Sequence, residues 1–75
     1  MDTVRVGRRI KAFRKLKGYT QIDFAKTLNV SIGELRGVER GEKEAPSVFL
    51  DQVVATLAIT KEELIGQSVS LEEVE

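Results

Sequence analysis

Apolar residues in this chain recur at the three- and four-residue spacing of helices that bury one side. In the first segment, Val6, Ile10, Phe13 and Leu16 form such a stripe, and Gly18 can end the helix. No segment shows the strict alternation of polar and apolar residues that is typical of a half-buried strand. The pattern therefore predicts an all-α protein.

A second helix is predicted from its start and stop residues. Thr20 precedes "QIDFAKTL" and Asp23 lies three residues later, which is close to a capping box, while Asn29 can stop the helix. Its predicted inward positions are Ile22, Ala25 and Leu28.

A third helix begins at Ser31, whose hydroxyl can cap it while Glu34 reaches back to the cap. Gly41 supplies the left-handed residue that ends this helix. Residues 29–31 join it to the second helix, and such a short link is typical of a helix-turn-helix.

The segment "GEKEAPS" is a polar loop because Pro46 disfavours a helix interior, and Ser47 is predicted to cap a fourth helix. The inward residues of this helix are Leu50, Val53, Val54 and Leu57. Thr60 and Glu63 form a capping box for a short fifth helix that ends at Gly66. This last helix holds Leu64 and Ile65. The prediction is a compact five-helix domain over residues 1–66, followed by a short acidic tail over residues 67–75.

The tail allows two interpretations. Ser70 can cap a short helix, with Glu73 three residues later, that contacts a partner subunit. The alternative is a frayed, disordered acidic end.

Length and composition limit the functions that are open to the chain. A chain of 75 residues forms one domain with a small core, and 41% hydrophobic residues are too many for a disordered protein. The absence of cysteine and histidine removes disulfides, the usual zinc sites and the commonest general base. We therefore expect no cofactor, no metal and no enzyme activity. Charged residues interrupt every apolar run and "MDTVRVGRRI" lacks a secretion-signal pattern, so we expect no membrane span and a cytoplasmic, bacterial protein.

The net charge is zero, but basic and acidic residues separate along the chain. Residues 1–20 hold Asp2 as their single acid, and their cations are Arg5, Arg8, Arg9, Lys11, Arg14, Lys15 and Lys17. Residues 45–75 are predominantly acidic. The basic end could attract phosphate.

The stretch "GRRIKAFRKLKGYTQIDFAKTLNVSIGELRGVERG" and the residues after it resemble the lambda-repressor-like helix-turn-helix family of phage Cro, phage repressor and XRE-type transcriptional regulators. The marks are Gly7, Ile10, Arg14, Thr20, Gln21, Phe24, Ala25, Val30, Ser31, Glu39, Gly41, Leu57, Ile59 and Leu64. The resemblance implies a sequence-specific DNA-binding regulator. We expect a repressor that binds double-stranded DNA as a homodimer and is nucleoid-associated when bound.

The resemblance also implies roles for three polar residues. Arg14 and Glu39 correspond to an ion pair that locks the third helix against the first. Gln21 opens the second helix, where free backbone amides and the helix dipole favour a phosphate. Such a contact positions the protein on DNA without reading sequence.

A helical wheel with Leu35 pointing inward places Gly33 and Gly37 on the opposite side of the third helix, with Arg36 and Arg40 beside them. We call this side the outer face. It is the face that a helix-turn-helix lays in the major groove. The candidate DNA-binding residues are Thr20, Gln21, Ser31, Ile32, Gly33, Glu34, Arg36, Gly37, Arg40 and Lys43.

We expect this face to make few direct base contacts, because Gly33 and Gly37 carry no side chain. Ile32 could touch a thymine methyl, Glu34 could accept from a cytosine amine, and Arg36 could fork onto guanine if it bends inward. Each mid-helix glycine costs roughly 1 kcal/mol relative to alanine. Three explanations for the two glycines are open. They allow a close approach to DNA or a partner, they loosen the helix, or they mark a helix that has lost base reading.

A second function remains open on the residues of the following loop. Glu42 and Glu44 flank Lys43 where the family commonly brings basic groups to the phosphates, and two acids oppose that contact. Together with the zero net charge, they favour an alternative: a helix-turn-helix-fold module that binds a protein partner and has weak or lost DNA binding.

Overall fold

The computed structural model describes residues 2–66, which form five α-helices and no strand. The helices are α1 (Thr3–Leu16), α2 (Gln21–Leu28), α3 (Ile32–Glu39), α4 (Ser47–Leu57) and α5 (Lys61–Ile65). The predicted all-α, five-helix fold is confirmed. The proposed helical segment at Ser70 lies outside the described residues.

Side-chain caps fix where the helices begin. Thr20 Oγ1 accepts from the Asp23 amide at 3.0 Å, and Ser31 Oγ accepts from the Glu34 amide at 3.0 Å. Asp2, which the sequence pattern did not single out, caps α1 by accepting from the amides of the first turn. Each cap satisfies backbone donors that have no partner inside the helix.

The predicted capping box of α5 is present in full. Thr60 Oγ1 accepts from the Glu63 amide at 3.0 Å, and Glu63 Oε1 accepts from the Thr60 amide at 2.8 Å. At the other end, Gly66 has φ of 72°, the left-handed conformation that favours glycine. These two ends define a helix of only five residues, which would be marginal on its own.

The predicted cap at Ser47 is wrong. The first helical bond of α4 runs from the Leu50 amide to the Pro46 carbonyl at 3.0 Å, so Pro46 occupies the cap position and Ser47 is already helical. Pro46 has no side-chain acceptor, and α4 begins without a side-chain cap bond.

The core lies where all five helices meet. Its buried hydrophobic residues are Val6, Ile10, Phe24, Ala25, Leu28, Leu35, Val38, Phe49, Leu50, Val53, Leu57 and Leu64. The sequence pattern predicted most of them but missed Phe24 and Phe49 as inward positions.

Two residues predicted to point inward are exposed. Leu16 is 76% exposed and Ile22 is 60% exposed. Each lies two residues from a buried side chain of the same helix, Arg14 in α1 and Phe24 in α2. Since two residues correspond to about 200° around a helix, burial of one side chain directs the other towards solvent.

The backbones of α1 and α3 touch at Gly7. A Cβ added at Gly7 would lie 2.9 Å from the Glu39 carbonyl oxygen and closer still to that of Val38. No real side chain tolerates this spacing against a backbone atom, so only glycine allows the contact. The contact sets α3 directly against α1.

A buried ion pair joins the same two helices. Arg14 Nε donates to Glu39 Oε2 at 2.7 Å, and a second guanidinium nitrogen donates to Oε1 at 3.2 Å. The remaining terminal nitrogen donates to the Tyr19 carbonyl at 2.8 Å. Both charged residues are only 6% exposed, and no buried side-chain polar atom within residues 2–66 lacks a partner. The pair is therefore a fully hydrogen-bonded, fork-like contact.

We predict that Glu39→Gln lowers the free energy of unfolding by at least about 3 kcal/mol, because Arg14 would remain buried without a counter-charge. Asp51→Asn is the matched control, since Asp51 pairs with Lys61 at 2.7 Å on the exposed surface. The control should cost at most about 1 kcal/mol. Urea unfolding followed by circular dichroism measures both, and equal losses in the two variants would contradict the structural role of the buried pair.

Candidate nucleic-acid interface

The turn between α2 and α3 is fixed by backbone bonds at the end of α2. Asn29 adopts the left-handed conformation with φ of 61°, as its predicted stop role requires. The Val30 amide then donates to the Ala25 carbonyl at 3.0 Å, and Ser31 caps α3. The two helices thus form a helix-turn-helix in which α3 leaves α2 in a defined direction.

Gln21 extends the buried ion pair towards the surface. Its amide nitrogen donates to Glu39 Oε1 at 3.0 Å, and its amide oxygen accepts from Arg36 Nε at 3.2 Å. One chain of polar contacts therefore crosses α1, α2 and α3 through Arg14, Glu39, Gln21 and Arg36. We call it the polar chain. The Gln21 amide nitrogen carries two hydrogens, and the bond to Glu39 uses one of them.

The polar chain changes the position expected for Arg36. Its guanidinium is exposed but held against Gln21 at the start of α2. In this conformation the Arg36 Nε is bound to the side chain of Gln21, the first residue of α2. Arg36 and Gln21 form a pair of neighbouring donors at one point of the surface.

The structure divides the remaining α3 residues between core and surface. Leu35 is fully buried, as the helical wheel requires, while Gly33 and Arg40 are exposed. A Cβ added at Gly33 would meet nothing within 4 Å. Ile32 and Glu34 are half-buried, and Ile32 packs against the core. Ile32 is therefore shared between the core and the surface.

The expectation of a bare outer face at Gly37 is wrong. Gly37 is buried because the side chain of Lys43 crosses it: a Cβ added at Gly37 would lie 2.9 Å from Lys43 Cδ and 3.1 Å from Cγ. The close approach that this glycine allows is made by the chain's own loop. A wheel of α3 could not show this contact, since the path of a loop is set by long-range packing.

Backbone bonds hold that loop in place. The Gly37 carbonyl accepts from the amides of Glu42 at 2.9 Å and Lys43 at 3.2 Å. Gly41 has φ of 79°, the left-handed conformation predicted for it at the end of α3. Glu42, Lys43 and Glu44 are all exposed.

Other kinds of site find no support among residues 2–66. No cluster of three acidic side chains lies close enough to hold a metal ion in this part of the chain. The longest of its helices, α1, has 14 residues, and none of the described helices combines the length and hydropathy that a bilayer crossing needs.

Comparisons with known proteins agree with this geometry. A helix-turn-helix family model matches residues 10–64. The chain is 47% identical over 58 residues to the HTH-type transcriptional regulator YazB of Bacillus subtilis, covering 77% of this chain and 84% of YazB. It is 35% identical over 63 residues to the HTH-type transcriptional regulator SinR of Bacillus licheniformis, covering 83% of this chain and 57% of SinR.

A solved structure is similar over almost the whole of its own length. The restriction-modification controller protein C.AhdI of Aeromonas hydrophila matches with a TM-score of 0.79 and 30% identity, over 84% of this chain and 96% of C.AhdI. The family match covers α2, the turn and α3 together with most of the core. On these grounds the chain belongs to the XRE-type, lambda-repressor-like helix-turn-helix family of transcriptional regulators.

Proposed function

We propose that the protein is a sequence-specific DNA-binding repressor that acts as a homodimer on the nucleoid and lays α3 in the major groove. The observation that carries this proposal is the polar chain, which holds α3 to α1 and α2 through a buried ion pair of 2.7 Å. A docking helix must keep one orientation if its side chains are to meet base edges. The buried pair supplies that constraint while Gly33, Arg36 and Arg40 stay exposed.

The start of α2 is the proposed phosphate contact. Thr20 and Gln21 lie at the N-terminal end of α2, and such a helix end favours an anion. Arg36 adds a positive charge beside Gln21. We therefore assign Arg36 to the phosphate backbone together with Gln21, in place of the guanine contact considered from the sequence.

Base reading is assigned to the exposed part of α3. Glu34 can accept a hydrogen bond from a cytosine amine, and Ser31 lies at the same end of the helix. Gly33 lets the DNA approach the helix backbone closely, since the space beyond it is open. Arg40, exposed at the other end of α3, is assigned to a phosphate.

A dimer compensates for the modest charge of one subunit. Most nonspecific affinity comes from neutralised phosphates, and this chain has no net charge. Two subunits on a two-fold site double every phosphate and base contact, and the two α3 helices then enter the groove about one helical turn apart.

A protein-interaction module is the second candidate. Exposed Glu42 and Glu44 belong to the loop that follows α3, where they oppose a phosphate contact and could pair with a basic protein surface. The two candidates differ in a direct binding test.

Selection from a random-sequence duplex pool at low salt tests the proposed function. We expect enrichment of a two-fold symmetric sequence whose half-sites lie about one helical turn apart. The absence of any enriched sequence at high protein concentration would contradict base reading. In a parallel pull-down, recovery of one stoichiometric protein partner with no DNA would support the interaction module.

Single substitutions test the phosphate assignment. Arg36→Ala and Gln21→Ala should each weaken binding to the selected duplex and to a shuffled duplex by the same factor, because phosphate contacts carry no sequence information. Loss of Arg36 should also reduce the slope of log K against log salt by about 0.9. Fluorescence anisotropy titrations over a range of salt concentrations measure both effects.

Lys11→Ala is the control for this measurement, since it removes an exposed cation of α1 outside the polar chain. It should weaken binding less than Arg36→Ala does. A change in the preferred base with Arg36→Ala would contradict the phosphate assignment and return Arg36 to base reading.

A further inference from the structure

Gly37 lies on the outer face of α3, yet the side chain of Lys43 buries it. We propose that Lys43 replaces the missing side chain of residue 37 and reads a guanine in each half-site, with its stem packed against Gly37. This inference rests on the proposed function and adds a specificity-determining residue to it. The residue comes from the loop between α3 and α4 rather than from α3 itself.

The Lys43 side chain runs across the outer face of α3 at Gly37. A Cβ added at Gly37 would point away from buried Leu35, towards the side that faces the groove. The atoms that this Cβ would meet are Lys43 Cδ at 2.9 Å, Cγ at 3.1 Å and Cβ at 3.7 Å. The Lys43 stem therefore crosses the space that a side chain at residue 37 would fill. Its ammonium is one methylene beyond Cδ.

The backbone of the loop is bonded to α3 at the start of the Lys43 side chain. Because the Gly37 carbonyl accepts from the amides of both Glu42 and Lys43, the start of the Lys43 side chain is fixed relative to α3. The stem is then held between this anchor and the glycine surface. A lysine positioned in this way loses less conformational freedom on binding than one on a free loop.

The charges around Lys43 indicate a base edge rather than a phosphate. Within residues 2–66, the Lys43 ammonium forms no ion pair. Its sequence neighbours Glu42 and Glu44 are exposed acids that oppose a phosphate contact, whereas a base edge carries no net charge. In the major groove, a lysine ammonium donates to guanine O6 and N7.

The contact with Lys43 also explains why residue 37 is a glycine, although helix propensity disfavours it. Glycine in a helix interior is less stable than alanine, and an alanine methyl at residue 37 would collide with the Lys43 stem. Gly33, one turn earlier on the same face, has no such neighbour. The two glycines therefore lie on the same face of the same helix, but another side chain crosses only Gly37.

The test is the base preference of variants in the same random-duplex selection. Lys43→Met keeps an unbranched apolar stem and removes the ammonium, so guanine preference should fall about 10-fold at one symmetric pair of positions and persist elsewhere. Gly37→Ala should cause the same loss although every charge is retained, because the methyl displaces the stem. Lys11→Met, the matched control, removes an exposed cation of α1 outside the proposed interface and should keep the guanine preference. In a Lys43→Met background, Gly37→Ala should cause no further loss at that pair.

The outcomes separate this inference from the function on which it rests. A wild-type protein that enriches no sequence overturns both. Enrichment with a guanine preference that survives Lys43→Met unchanged overturns the inference alone. An equal loss of affinity for every duplex in Lys43→Met also overturns it, since that result assigns Lys43 to a phosphate. Lys43 is exposed, so thermal unfolding of Lys43→Met should match that of the wild type and exclude misfolding as the cause.

Discussion

The arrangement of α3 depends on one buried ion pair. Arg14 and Glu39 meet at 2.7 Å in a site that is almost closed to water, and no buried side-chain polar atom within residues 2–66 lacks a hydrogen-bond partner. A charge in such a site is costly unless its partner is present in one geometry. The pair therefore fixes orientation more than it adds stability. Gly7 allows this geometry because it brings the backbones of α1 and α3 into contact.

The same ion pair links the interior to the proposed DNA surface. Gln21 bonds to Glu39 on one side and to Arg36 on the other, so the groups assigned to phosphate are positioned by the core. Lys43 is positioned differently, by the Gly37 carbonyl and the bare surface of that glycine. Both contacts need the orientation of α3 that the ion pair fixes, but Lys43 has this additional local support, so a substitution at Lys43 can disturb base reading without disturbing the phosphate contact.

Much of this fold follows from local sequence signals. The caps at Thr20, Ser31 and Thr60, and the left-handed ends at Asn29 and Gly41, depend on a few consecutive residues, and the structure has all of them. The expected Arg14–Glu39 contact came from the family resemblance, because no local pattern relates residues 25 positions apart.

The errors arose where long-range packing decides the outcome. Leu16 and Ile22 continue apolar stripes in sequence but lie beyond the surface that other helices cover. The covering of Gly37 depends on the path of a loop that turns back over α3. The most direct test of the account is the change in backbone amide NMR shifts when a selected duplex is added. We expect the largest changes at residues 20–21, 31–37 and 43, and changes concentrated in α4 and α5 would contradict the docking of α3.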